Sequence, residues 1–191
     1  MTFIVLIFSF LICLVLFAVI GICLVYLWDA WQNCRPGRTV YVGSNRKIVC
    51  SIVPSILEKY AIDPSRFIWV EPGAGMGEVS GCMSSYPWKE MHALEIGTVL
   101  FCTGKLLSIL KKWPLHWQKG DVLKMNWPRP AVVYCYLFTE VITRMYKGGQ
   151  FKNSLVMTLT FPIEGVEPTE TIPVSGWQQQ IFIYDLRDHK K

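Results

Sequence analysis

Between Phe3 and Trp28 the chain runs FIVLIFSFLICLVLFAVIGICLVYLW without a single charged residue. As a helix this run reaches roughly 39 Å, longer than the ~30 Å hydrocarbon core of a bilayer. A cleaved signal peptide requires a basic start, a shorter apolar core and a small-residue cleavage site, and the sequence has none of these. A buried core helix would be amphipathic, whereas this run is apolar all round. We therefore expect a transmembrane anchor over residues 1–29 and a juxtamembrane connector over 30–40, with the lipid bilayer as the anchor's partner. Arg35, Arg38, Arg46 and Lys47 all follow the run. The positive-inside rule then predicts a single-pass protein with its N-terminus outside and its body in the cytoplasm, or on the matrix side if mitochondrial. The seven cysteines are odd in number and form no C-x-x-C pair. Cys50, Cys82, Cys102 and Cys135 read as reduced thiols of a core. A net charge of +5 suits a domain beside an anionic membrane surface, and no nucleic-acid partner is expected.

The body alternates strand and helix patterns. IVCSIVPSILEKY has helical spacing interrupted by Pro54, and IDPSR supplies a turn. FIWV is a short buried strand, and EVSGCMSSY opens a short helix. MHALEIG, LHWQKGDV, AVVYCYLF and NSLVMTLTF read as further strands, with helices over VLFCTGKLLSILKKW and TEVITRMYKGG between them. TETIPVSGWQQQIFIYDL reads as a terminal hairpin turning at Ser175 and Gly176. This alternation predicts an α/β fold, a mostly parallel sheet with helices on its faces, in which ligands bind at the carboxyl ends of the strands.

At one such end stands VEPGAGMGEV, with Gly73, Gly75 and Gly77 at alternate positions. Glycines allow a tight turn or close approach to a ligand. A phosphate-binding P-loop is excluded, because no G-x-x-x-x-G-K-[ST] occurs. A dinucleotide site fits badly, because Glu78 occupies the last glycine position of G-x-G-x-x-G and would face a pyrophosphate. S-adenosylmethionine has no phosphate and a positive sulfonium, so acids suit it. Glu71 precedes the glycines, where it can reach the amino-acid end. Glu95 closes the second strand, where a carboxylate accepts ribose hydroxyls, and Asp121 ends the third, within reach of an adenine amino group. The candidate cofactor residues are Glu71, Gly73, Ala74, Gly75, Gly77, Glu95, Ile96, Asp121 and Val122. Taken singly, each acid reads more simply as a loop carboxylate or helix cap; the ordered set points to the cofactor. His92, His116 and His189 lack metal-ligand spacing with any cysteine, so no metal is expected.

From Tyr41 to Asp185 the pieces YVGSNRKIV, VEPGAGMGEV, HALEIG, KGDVLKMNW, PAVVYCYLFTEV, LTFPIEGVEP and IFIYDL occur in that order. In these the chain resembles the small membrane-anchored class I methyltransferases related to the ATP synthase c-subunit and adenine nucleotide translocase lysine N-methyltransferases and their bacterial relatives. The sequence departs from that family's glycine motif at Met76 and Glu78, and Thr139 stands where Pro is frequent. The resemblance implies a Rossmann-like class I methyltransferase sheet with an antiparallel last strand, over a domain spanning 41–191. It also implies S-adenosylmethionine as cofactor, methylation of protein lysine at or in the membrane, and substrate contacts at Tyr136, Leu137 and Phe138.

Tyr134 and Tyr136 share a strand face by the two-residue period. With Phe138 they are the candidate catalytic residues, lining an acceptor channel that Phe161 and Pro162 wall opposite, with Glu140 as a weaker partner for the amine. Three alternatives remain open at this point: a cofactor- or nucleotide-binding membrane module without turnover, a methyltransferase acting on a small membrane-associated molecule, and a nicotinamide oxidoreductase.

Overall fold

The computed structural model describes residues 2–33, 43–174 and 180–188. The chain divides into two compact units, Met1–Val40 and Tyr41–Lys191. In the first, helix α1 (Thr2–Asn33) contains a stretch, Ile7–Val25, that is long and apolar enough to cross a membrane and has none of its surface covered. The expected connector begins inside this helix, and its residues 34–40 lie outside the described residues.

In the second unit, seven strands of the described residues form one sheet in the order β3-β2-β1-β4-β5-β7-β6. They are β1 (Ile68–Pro72), β2 (Glu90–Glu95), β3 (His116–Lys119), β4 (Ala131–Cys135), β5 (Ser154–Leu159), β6 (Glu170–Pro173) and β7 (Gln180–Asp185). The first five run parallel, and β7 is antiparallel to both β5 and β6. The predicted mostly parallel sheet with an antiparallel last strand is therefore present. Every residue of β1, β4 and β5 is buried, as the continuous apolar runs of a sheet covered on both faces require. The hairpin turn expected at Ser175 and Gly176 lies outside the described residues.

Helix α2 (Arg46–Lys59) and the short α3 (Glu78–Met83) lie on one face of the sheet. There Val53, Ile56 and Val79 pack with Trp69, Val132 and Met157. On the other face α5 (Thr139–Lys147) brings Ile142 and Met145 against Val133 and Val156. Helix α4 (Thr98–Lys111) crosses from β2 to the edge strand β3. The interruption expected at Pro54 does not occur: α2 runs through it and buries Val49, Val53, Ile56 and Leu57. Burial of that stripe offsets the ~3 kcal/mol that an interior proline costs.

The cysteines also depart from expectation. The sulfurs of Cys50 on α2 and Cys82 on α3 are in bonding contact, with Cα atoms 6.3 Å apart. Cys135 is buried and unpaired, and Cys102 is exposed.

Candidate active site at the switch point of the sheet

From β1 the chain moves to β2 and β3 on one side, then returns to β4 on the other side of β1. Connections leave the sheet in opposite directions at this point, which opens a crevice at the carboxyl ends of β1 and β4. The glycine turn and the segment Tyr136–Phe138 follow directly from those two ends.

The turn is left-handed at Gly73, Gly75 and Gly77, with φ of 72°, 57° and 71°. A side chain at any of them would strain the backbone. Backbone N–H groups of Gly73 and Ala74 both donate to the carbonyl of Leu94 at 2.8 and 2.9 Å, binding the start of the turn to β2. A Cβ on Gly73 would come within 2.6 Å of the Leu137 side chain, so the segment after β4 lies close against the turn. Gly77 serves a different neighbour: its added Cβ would meet the Trp117 ring at 2.8 Å. That ring also abuts Gly104 of α4, and its indole N–H donates to Ser108 Oγ at 2.6 Å. Gly77 thus gives room to an indole of the protein itself.

The three predicted acids stand at the carboxyl edge of three neighbouring strands. Glu71 pairs with Ala93 across β1 and β2, and Glu95 pairs with Lys119, the last residue of β3. Glu95 is buried, and its two oxygens reach opposite ways. Oε2 accepts from the N–H of Gly75 at 2.8 Å, and Oε1 accepts from the N–H of Gly97 at 2.7 Å. One carboxylate therefore fixes both the glycine turn and the entry to α4. Ile96, the next residue, is 41% exposed, one of the few large apolar side chains of the body at the surface. Asp121 lies two residues past β3 and caps the single turn Val122–Lys124, accepting from the Leu123 N–H at 3.0 Å. Val122 behind it is buried.

Glu71 turns toward α3. Its Oε2 accepts from the backbone N–H of Ser80 at 2.8 Å and from the Ser80 hydroxyl, which itself accepts from the Trp69 indole N–H at 2.8 Å. The N-cap of α3 is Gly77, which has no side chain to cap with, and the carboxylate from the preceding strand satisfies the helix instead. Burial pushes the Glu71 carboxyl up to about 7, against the lowering effect of the Ser80 bonds and with help from nearby Glu95 and Glu78. Ser80 was not singled out in the sequence. The signal for it was a glycine in the N-cap position behind an acid, which leaves helix donors for that acid to take.

The predicted catalytic residues separate. Tyr134 is buried, stacks 6.3 Å from Trp69 and donates its hydroxyl to Ser44 Oγ at 2.8 Å. Burial holds this phenol well above its usual range. It is a core residue that ties the chain ahead of α2 to β4. Tyr136 and Phe138 instead lie beyond the end of β4 and gather on Phe161, at ring separations of 5.9 and 5.1 Å. Phe138 is 43% exposed, so this aromatic group opens to solvent. Pro162 and Glu140 are exposed beside it in sequence. A separate cleft of about 650 Å³ lies between α4 and β3, bordered by His92, Lys105 and Trp113, and none of the three acids lines it. Among the described residues no cluster of His, Cys, Asp and Glu has the form of a metal site.

No family model and no curated protein sequence matches the chain. Solved structures do. An RNA methyltransferase from Salinibacter ruber in complex with S-adenosyl-L-homocysteine superposes with a TM-score of 0.65 at 15% identity, over 78% of this chain and 97% of that one. Magnesium protoporphyrin IX methyltransferase from Synechocystis, with bound S-adenosylmethionine, gives 0.60 at 12% identity, over 83% and 95%. A SAM-dependent methyltransferase from Aquifex aeolicus gives 0.55 at 9% identity, over 74% and 98%. The body has the class I SAM-dependent methyltransferase fold.

Proposed function

We propose that the chain is a membrane-anchored S-adenosylmethionine-dependent methyltransferase that acts on lysine side chains of a protein at or in the membrane. The observation that carries this reading is Glu95. A buried carboxylate binds the glycine turn on one side and the start of α4 on the other, with an exposed aliphatic side chain, Ile96, beside it.

The residues present fit this cofactor better than they fit a nucleotide. The turn offers acids and apolar surface but no Lys or Arg between Glu71 and Ser80, which suits a nucleoside with a cationic sulfur and no phosphate. When bound, S-adenosylmethionine supplies a methyl group activated by positive sulfur. Gly73, Ala74 and Gly75 would then give close backbone approach, Glu95 and Asp121 would accept from hydroxyl and amino groups, and Ile96 and Val122 would border the flat base, while Gly77, expected to join them, keeps its room for the Trp117 indole. Glu71 gives its negative charge in its ionised form.

On the acceptor side, Tyr136, Phe138 and Phe161 form an apolar, aromatic rim. Holding a lysine amine neutral at pH 7 costs roughly 4–5 kcal/mol in water, at 1.36 kcal/mol per unit of pKa. An apolar rim lowers that cost by disfavouring the ammonium, so no dedicated strong base is required. Tyr136 can orient the amine through its hydroxyl, and the remaining work is alignment. The anchor is assigned to α1, and the basic residues that follow it favour a cytoplasmic or matrix-side body.

Calorimetry on the full chain in detergent tests the cofactor: S-adenosylmethionine binds, and Glu95→Ala weakens binding by about ten-fold or more. Absence of binding to the unaltered chain overturns the reading. Transfer of a radiolabelled methyl group into membrane fractions then tests the acceptor, with label expected on lysine. Binding without transfer would favour a module without turnover, and label recovered in the lipid extract would favour a small-molecule acceptor.

A further inference from the structure

Outside α1, the large apolar side chains at the described surface are few: Ile96, Phe138, Leu106, Ile109 and Leu110. The first two belong to the candidate site. The other three lie together on α4, at positions i, i+3 and i+4, and so form one contiguous face. They are also more exposed than the first two, at 57%, 67% and 70%. Nothing in the sheet needs them. The helix meets the body through the opposite side, where Gly104 and Ser108 are buried, and through its first turn, where Val99 is buried.

Along the helix itself the charges have one sign, and a nearby acid, Glu90, lies across the cleft that Lys105 and Ile109 border. Over residues 98–113 the sequence TVLFCTGKLLSILKKW contains Lys105, Lys111 and Lys112 and no acid. All three lysines are exposed. Lys105 lies over the Phe101 ring at 5.9 Å and Lys111 over the Trp113 ring at 4.8 Å. Aliphatic side chains edged by lysines and an indole are what an interfacial helix presents to lipid: apolar groups enter the acyl boundary while long basic side chains reach the headgroups.

From this we infer that α4 docks the body onto the anionic face of a phospholipid bilayer through Leu106, Ile109 and Leu110, with Lys105, Lys111 and Lys112 on the headgroups. The inference rests on the reading that the chain works at a membrane. Chain length is compatible with it: the residues between Asn33 and Gly43 can span at most about 35 Å when extended, so a bilayer that takes up α1 is within the body's reach. Docking also selects acceptors. Helix α4 begins three residues after Glu95 and is about 21 Å long, so a docked α4 keeps the candidate site within one helix length of the lipid surface.

The test uses the full chain reconstituted into vesicles that carry a photoactivatable phospholipid, with adducts mapped by peptide mass spectrometry. In vesicles containing phosphatidylserine, adducts are expected both in α1 and in the peptide spanning residues 106–111. Replacing phosphatidylserine by phosphatidylcholine, or introducing Lys105→Glu, Lys111→Glu and Lys112→Glu together, lowers the α4 adducts about ten-fold or more while those in α1 persist. Because the lipid exchange leaves the protein unaltered, it decides the matter even if the triple variant folds poorly. Adducts in α1 alone overturn the docking and leave the anchor reading standing, whereas adducts in α4 alone overturn the anchor and keep the docking. A bifunctional lysine cross-linker added to the same vesicles that joins two copies through residues 102–113, with no lipid adducts there, would assign the face to self-association and overturn the inference.

Discussion

Glu71 and Glu95 lie at equivalent strand ends, yet their surroundings set them apart. The Glu71 carboxyl holds its proton up to about pH 7 in the fold, against an ordinary value of 4.5. Because the folded value is raised, the stability linked to this group is complete below 4.5 and is lost as pH climbs through 7, by about 3 kcal/mol at 1.36 kcal/mol per unit. Glu71→Gln cannot ionise, so its denaturation midpoint should stay flat between pH 4.5 and 7 where that of the unaltered chain falls. Parallel curves for the two would remove this account. A bound sulfonium favours the ionised form, so cofactor affinity should rise as pH passes upward through 7 in the unaltered chain and not in the variant. For Glu95, replacement by Ala strands the buried N–H groups of Gly75 and Gly97, at about 1–3 kcal/mol each. Denaturant titration checks that loss, and Glu95→Gln, which keeps an acceptor, should recover part of it. The sequence located both acids, because the strand pattern fixes where each strand ends. It did not reveal that Glu71 is bonded to Ser80, since that contact depends on how α3 settles on β1. Nor did it separate Tyr134 from Tyr136: the two-residue period puts both on one face, and only the length of β4, which stops at Cys135, decides which is core and which is rim.

Among the elements, the most exacting contact is between α4, β3 and the glycine turn. A methyl added to Gly104 would sit 2.3 Å from the Trp117 ring and 3.1 Å from the Met76 backbone. With rigid backbone on one side, the indole has to move. Gly104→Ala should therefore destabilise the fold by about 1–3 kcal/mol, despite alanine's better helix propensity. In the Trp117→Leu background the same change should cost less, and a thermal melt of the double-mutant cycle reads the difference. None of this was legible beforehand, because Gly104 carries no signal in the sequence until β3 brings an indole over it. The strands and helices themselves were legible almost throughout, because apolar period and turn residues agree along the body. The exceptions are α2 and the ends of β3 and β4, which stop at Lys119 and Cys135, short of the runs that predict them. At α2 the sequence predicts a break at Pro54, but the buried stripe around it holds one continuous helix.

For the whole molecule, two measurements address the membrane reading. Leu16→Arg places a charge in the middle of the apolar helix, at a cost of about 2.5–3.5 kcal/mol for insertion. It should move the chain from the carbonate-resistant membrane fraction toward the supernatant, and an unchanged distribution would count against the anchor. Thiol trapping in intact cells reports the side of the membrane: a body in a reducing compartment should present Cys50 and Cys82 as two modifiable thiols, and an oxidised pair would put it on the other side. The order of strands has a temporal consequence as well. Among the described residues β6 pairs only with β7, and β7 lies between it and β5. As the polypeptide emerges during translation, β6 appears first and has no edge to join. Its backbone donors and acceptors stay with water until the next strand has slotted in beside β5. The parallel half can assemble early, but completion waits for that late arrival. In the interval the open flank of β5 is exposed to mispairing, and a chaperone that shields nascent β-edges should raise the yield of folded protein.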